Sequence, residues 1–237
     1  MTSLLALYRL FLRRQVTTGR LFLFGGFGLL SVLVAYAINR NGDGTAENII
    51  GFVYGFGIGL MVPVISLVLA SSALGELIED ETLVYLWHRP VARWQLALSA
   101  WLGSATIVLP FTVIPLVASA AIGSGGDSTA IAATAAATTL AAIAYSGLFV
   151  LLGLLFRKAL IWGLIYLVVW ELFVSKAGQG AARLSVNTYP SSVMARMTEF
   201  ELPLAERAMA TGIIVPIVVA VLGIALTAWR LDHIDVA

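Results

Sequence analysis

Glu76, Glu79, Asp80 and Glu81, out of thirteen acidic residues, fall in one short stretch, residues 75–93 (GELIEDETLVYLWHRPVAR). Glu76, Glu79 and Asp80 follow i, i+3, i+4 spacing, which puts three carboxylates on one face of a helix. Leu83 and Trp87 continue that face, so an acidic turn leads into a large apolar knob. Such a set suits recognition of a basic protein surface better than bond-making chemistry, although an ordinary solvated loop would carry the same residues. Pro90 ends the helix, because it disfavours helical geometry at Arg89 and suits the first turn of a new one.

A second candidate is Glu171, the one acidic residue within an apolar run. A charge at the centre of a membrane helix costs roughly 2.5–3.5 kcal/mol on insertion scales. Its position beside Trp170, Ser175 and Lys176 allows two readings. One is a polar group at the mouth of a pathway; the other is an interface residue paired with Lys176 or wetted by water.

The remaining chemistry is limited by composition. The chain has no cysteine and two histidines, His88 and His233, so thiolate or multi-histidine metal sites are not expected. It has no G-x-x-x-x-G-K-[ST] phosphate loop, G-x-S-x-G elbow or H-E-x-x-H pair. We therefore expect neither an enzyme nor a chain that binds a cofactor by itself. The formal net charge of +1 argues against nucleic acid as a partner.

The elements that position these residues are membrane spans. The chain is 60% hydrophobic and 11% charged, against about 25% charged in soluble domains. Charge-free runs cover residues 21–39, 49–75, 94–126, 128–156, 159–170 (extended past Glu171) and 208–229. Most reach the ~20 residues that cross a bilayer. The expected fold is thus all-α: one six-span membrane domain over residues 1–237, with no soluble domain. The first run lacks a small-residue cleavage site and is expected to stay as an anchor.

Orientation follows from the Lys and Arg residues. With the N-terminus inside, Arg9, Arg13, Arg14, Arg20, Arg89, Arg93, Arg157, Lys158 and Arg230 are internal. Arg40, Lys176, Arg183, Arg196 and Arg207 are external. Both termini and residues 75–93 are then cytoplasmic, and the lipid bilayer of the cell's inner membrane is the setting. Residues 3–18 alternate Leu4, Leu7, Leu10 and Phe11 with Arg9, Arg13 and Arg14, which fits an amphipathic helix in the inner interface or the start of the first span.

Small residues forecast packing. Gly25, Gly26 and Gly28, and Gly51, Gly55 and Gly59 at four-residue spacing, are expected to pack tightly, within one subunit in preference to an interface between subunits. The alanine-rich stretch 130–144 should lie against protein rather than lipid. Pro63, Pro110, Pro115 and Pro216 are expected to kink their spans. In the long loop 176–207, residues 191–200 carry a helix-start signature after Pro190, with Val193, Met194, Met197 and Phe200 on one side. This helix should lie on, or dip into, the outer surface. A cysteine placed at Ser185 should be open to the outside.

The central stretch also carries a resemblance. Gly75-Glu76, then Glu79-Asp80-Glu81-Thr82-Leu83, Leu86, and Arg89-Pro90-Val91-Ala92-Arg93-Trp94 resemble the permease subunits of type-2 ATP-binding-cassette exporters. Those read as an acidic turn, a small residue with Thr-Leu, a Leu-rich turn and Pro-x-x-Arg before the third span. Glu81 stands where the family often has Gly, and Ala100 where a Lys is common. The resemblance implies that 75–93 is a cytoplasmic coupling helix, with Glu76, Glu79, Asp80, Leu83, Trp87, Arg89 and Arg93 meeting a separate ABC ATPase. It also implies a half-transporter completed by a second permease copy or paralogue, with ATP and Mg in the ATPase partner. Two rivals remain open: an ion-coupled secondary transporter using Glu171, and a non-transporting scaffold that recruits a partner through this loop.

Overall fold

The computed structural model describes residues 2–43, 45–79 and 92–233. Among these, every regular element is a helix. In lipid no water is present to satisfy an open backbone, so the apolar runs close their hydrogen bonds internally. Six helices are long and apolar enough to cross a membrane: Thr18–Asn41, Ala46–Glu76, Arg93–Gly123, Ser128–Leu155, Ala159–Ala177 and Met209–Asp232. These first to sixth spans match the expected runs to within a few residues, the fifth continuing past Glu171, as expected, to Ala177. The N-terminal helix α1 (Thr2–Gln15) precedes them.

Local chemistry sets several boundaries. The Asp127 side chain accepts from the Thr129 amide at 3.0 Å and starts the fourth span. Before it, Gly125 and Gly126 take left-handed geometry (φ 66° and 91°), which lets the chain reverse within a few residues. Pro110 and Pro115 lie inside one continuous helix. Beside them, Phe24, Gly25, Gly28 and Leu29 of the first span complete an apolar groove of about 480 Å³.

The fourth span is the hub. In its apolar stretch 61% of residues are buried, against 22% in the first and sixth spans. Ala130, Ala133, Ala137, Ala141 and Ala144 are all buried, as the alanine-rich sequence led us to expect. Its backbone touches two neighbours directly. A Cβ at Gly147 would collide with the backbone of Ala220 in the sixth span, and one at Gly153 with the backbone of Ser71 in the second. Small residues admit this close approach.

The expected glycine seam in the second span is not found. Gly51 and Gly55 face nothing within 4 Å, and Gly59 meets its own helix at the Tyr54 carbonyl. Gly25 and Gly26 are equally open, while Gly28 packs on Pro115. Four-residue spacing marks a smooth helix face, but it does not say that another helix lies on it.

Helix α1 packs Leu7, Phe11 and Gln15, one residue per turn, onto the third span. Gln15 donates to Ser104 Oγ at 3.0 Å, Ser99 donates to the Leu4 carbonyl at 3.4 Å, and Phe11 fits over Gly103. At 1.5 Å per residue, roughly 17 Å of α1 spans roughly 8 Å of the third span. The two helices therefore cross obliquely. Arg9 and Arg13 are exposed beside the exposed Leu5 and Leu10.

Candidate functional site under the fifth-to-sixth hairpin

The chain between Ala177 and Met209 is a tied-down hairpin rather than a free loop. It holds a short helix, Gln179–Ala182, and a longer one, Thr188–Thr198. The longer helix begins a turn earlier than expected, with Pro190 inside its first turn, where the missing N–H costs nothing. Val193 and Met194 are buried, and Met197 and Phe200 pack against the core. The expected apolar side is thus real, but it is pressed into the bundle between the fourth and sixth spans.

Contacts at its two ends fix its direction. The Thr198 end shares a hollow with Asp127 and Thr129, at the start of the fourth span. At the other end, the Asn187 amide lies over Gly59, thirteen residues into the second span counted from Ala46, or roughly 20 Å along it. The helix therefore descends into the bundle with its N-terminus deepest. Eleven residues give about 16 Å, near half of the ~30 Å hydrocarbon core.

Beneath that N-terminus sits Glu171, only 3% exposed. Its carboxylate accepts from the Tyr166 hydroxyl at 2.8 Å, from the Val186 amide at 3.0 Å and from the Ser185 hydroxyl. Lys176 is exposed and is not among its partners. The pairing with Lys176 is thus replaced by a clasp to the hairpin. The reason is reach: Lys176 is on the far side of the next turn, whereas Ser185 and Val186 return directly onto the carboxylate. Ser185, expected to be open, is itself buried. Hydrogen bonds to a charged group contribute about 1.5–3 kcal/mol each, and a helix N-terminus carries about half a positive charge. Together these offset the cost of burying the carboxylate.

Tyr145 completes the cluster. It is fully buried beside Glu171, and its ring stacks on Phe149 at 5.7 Å. Glu171 and Tyr166 lie in a π-helical segment, Tyr166–Phe173, and Gly59 lies in another, Val53–Met61. Such widened turns recur at functional sites. The outer arm of the hairpin is held by Arg196, which donates to the carbonyls of Glu206 and Arg207, and by Tyr54, which donates to the Pro203 carbonyl at 3.0 Å. Between these ties, Glu199 and Leu204 adopt left-handed backbone geometry (φ 59° and 62°), at a cost of order 1–3 kcal/mol each.

The second candidate region lies at the opposite end of the bundle, beside α1. Asp80, Leu83, Trp87 and Arg89 fall outside the described residues, as does the side chain of Glu79. Glu76 is described, and it forms an ion pair with Arg20 at the start of the first span. The pair is partly exposed, 23% and 35% at the two side chains, so its net worth is ~0–1 kcal/mol. Arg93 begins the third span and is half-buried. Arg20 was not singled out from sequence, because nothing in the spacing of 75–93 points to a partner 56 residues earlier.

No protein family, curated protein or solved structure matches this chain.

Proposed function

We propose that this chain is the permease subunit of an ATP-driven exporter, forming half of a translocation pathway and coupling through residues 75–93 to a separate cytoplasmic ABC ATPase. One observation carries the reading. The acidic, tryptophan-bearing stretch is rooted on one side at Glu76, paired with Arg20, and on the other at Arg93, which opens the third span, at the end of the bundle that also holds α1. A docking element needs such fixed roots, so that a push on it reaches the spans. Helix α1, with Leu5, Arg9, Leu10 and Arg13 on its exposed side, lies in the inner-membrane interface, and both termini are cytoplasmic. A second permease copy or paralogue completes the pathway. The test is co-purification from native membranes, in which an ABC ATPase subunit is expected to travel with the chain in stoichiometric amount. Recovery of a non-ATPase partner alone would instead support the scaffold reading.

Topology is testable because the chain has no cysteine of its own. A single cysteine at Glu79 is expected to resist an impermeant thiol reagent in intact cells, and one at Leu184, which is 70% exposed in the hairpin, to label. Labelling at Glu79 from outside would invert the orientation and remove the docking role.

The buried Glu171 favours one rival reading, an ion-coupled transporter. Transport that persists after ATP depletion and stops with an uncoupler would support it. In the exporter reading, Glu171→Gln is expected to lower transport while the complex stays assembled. Unchanged transport and unchanged substrate-stimulated ATPase activity would take Glu171 out of the pathway.

A further inference from the structure

The fifth-to-sixth hairpin is pressed into the bundle, yet its deepest point is polar: Ser185, Val186 and the first turn of Thr188–Thr198. The Ser185 hydroxyl and the Val186 amide donate to one acceptor group, the Glu171 carboxylate, which these two adjacent hairpin residues grip from one side while Tyr166 holds it from the other. We infer that Glu171 is the positioning residue that keeps this hairpin inserted, a latch between the fifth span and the helix Thr188–Thr198. The inference stands apart from any reading of what the bundle transports.

Three features make the latch specific. A carboxylate accepts at both oxygens, and the Tyr166 hydroxyl, the Ser185 hydroxyl and the Val186 amide all donate to it, two of them from the hairpin. The helix N-terminus adds a favourable field at the same point. Finally, the Tyr145 hydroxyl lies beside the carboxylate. If the hairpin lifts, Glu171 still has the Tyr166 hydroxyl as a donor and Tyr145 beside it, so the open state keeps polar partners at the carboxylate. Without the carboxylate, the inserted state loses its only shared acceptor and leaves the Val186 amide unsatisfied in a dry site. The apolar contacts of Val193 and Met194, with the bonds from Tyr54 to the Pro203 carbonyl and from Trp170 to the Leu184 carbonyl, then hold the hairpin.

The test uses cysteine accessibility in membrane vesicles opened to reagent on both faces. Val193→Cys reports on the hairpin helix, since Val193 is buried against Gly212 of the sixth span. Leu184→Cys reports reagent access, and Ala137→Cys, buried in the fourth span, reports the integrity of the bundle. With Glu171 intact, Val193→Cys should label at least tenfold more slowly than Leu184→Cys. Adding Glu171→Ala should raise labelling at Val193→Cys tenfold or more, with Ala137→Cys still protected. Glu171→Gln keeps one acceptor oxygen and should fall between the two. Unchanged protection of Val193→Cys in Glu171→Ala overturns the latch. So does simultaneous exposure of Ala137→Cys, because Glu171 would then support the whole bundle rather than the hairpin. Free labelling of Val193→Cys with Glu171 intact overturns it as well.

Discussion

Leucine at Gly147 is expected to keep the fourth and sixth spans from closing on each other. A Cβ there would lie 2.6 Å from the Ala220 Cα, and the Gly223 backbone opposite leaves no space for the rest of the side chain. Overpacking a core usually costs about 1–3 kcal/mol, with side chains and backbone giving way. Here the obstacle is backbone, so the helices must separate, and the cost is at least about 3 kcal/mol. At 2–4 °C per kcal/mol for a chain of this size, the midpoint of thermal aggregation in detergent should fall by roughly 6–12 °C or more. Gly55→Leu, on an open face, should stay within a few degrees of the parent. Equal midpoints for Gly147→Leu and Gly55→Leu would mean that the seam between the fourth and sixth spans does not close the bundle.

Trp87→Ala is expected to detach the ATPase partner far more than Glu79→Ala does. Buried aromatic anchors commonly contribute about 2 kcal/mol or more to an interface, which is roughly 30-fold in Kd. A rim carboxylate contributes about 1 kcal/mol or less and mainly steers association. The Glu79→Ala effect should therefore shrink at high salt, while the Trp87→Ala effect should not. The measurement is ATPase recovered per permease in the membrane, for each variant at low and high salt. Full retention of the partner by a well-inserted Trp87→Ala variant would remove residues 75–93 as the docking element. Glu76 enters this comparison differently, because its carboxylate is already engaged by Arg20. Glu76→Ala tests the root of the stretch more than its outer face.

The spans were legible in the sequence because lipid enforces a single rule: about twenty residues without charge, closed on themselves. The alanine-rich fourth span was legible for a related reason, since alanine gains little from lipid and fits a crowded centre. Which glycines meet backbone was not legible. Gly51, Gly55 and Gly59 have the regular spacing, but the close contacts belong to Gly147, Gly153 and Gly223. Their partners lie on spans distant in sequence, and no local pattern encodes them. Glu171 was visible as a charge in an apolar run, yet its environment was not. Besides the nearby Tyr166 hydroxyl, its donors are a serine hydroxyl and a backbone amide 14 and 15 residues later, brought back by a hairpin whose depth depends on tertiary packing. The nearest basic residue in sequence, Lys176, was the wrong partner.

The oblique crossing of α1 over the third span has a consequence for biogenesis. Leu7, Phe11 and Gln15 find their resting place on Ser99–Ser104, a segment made about ninety residues later. At about 5–20 residues per second, the ribosome takes several seconds to deliver it. Throughout that interval the buried side of α1 lacks its partner in the third span. The last contact of the N-terminal helix is therefore made well after its synthesis, and a chain stalled before residue 104 would leave that helix unclaimed.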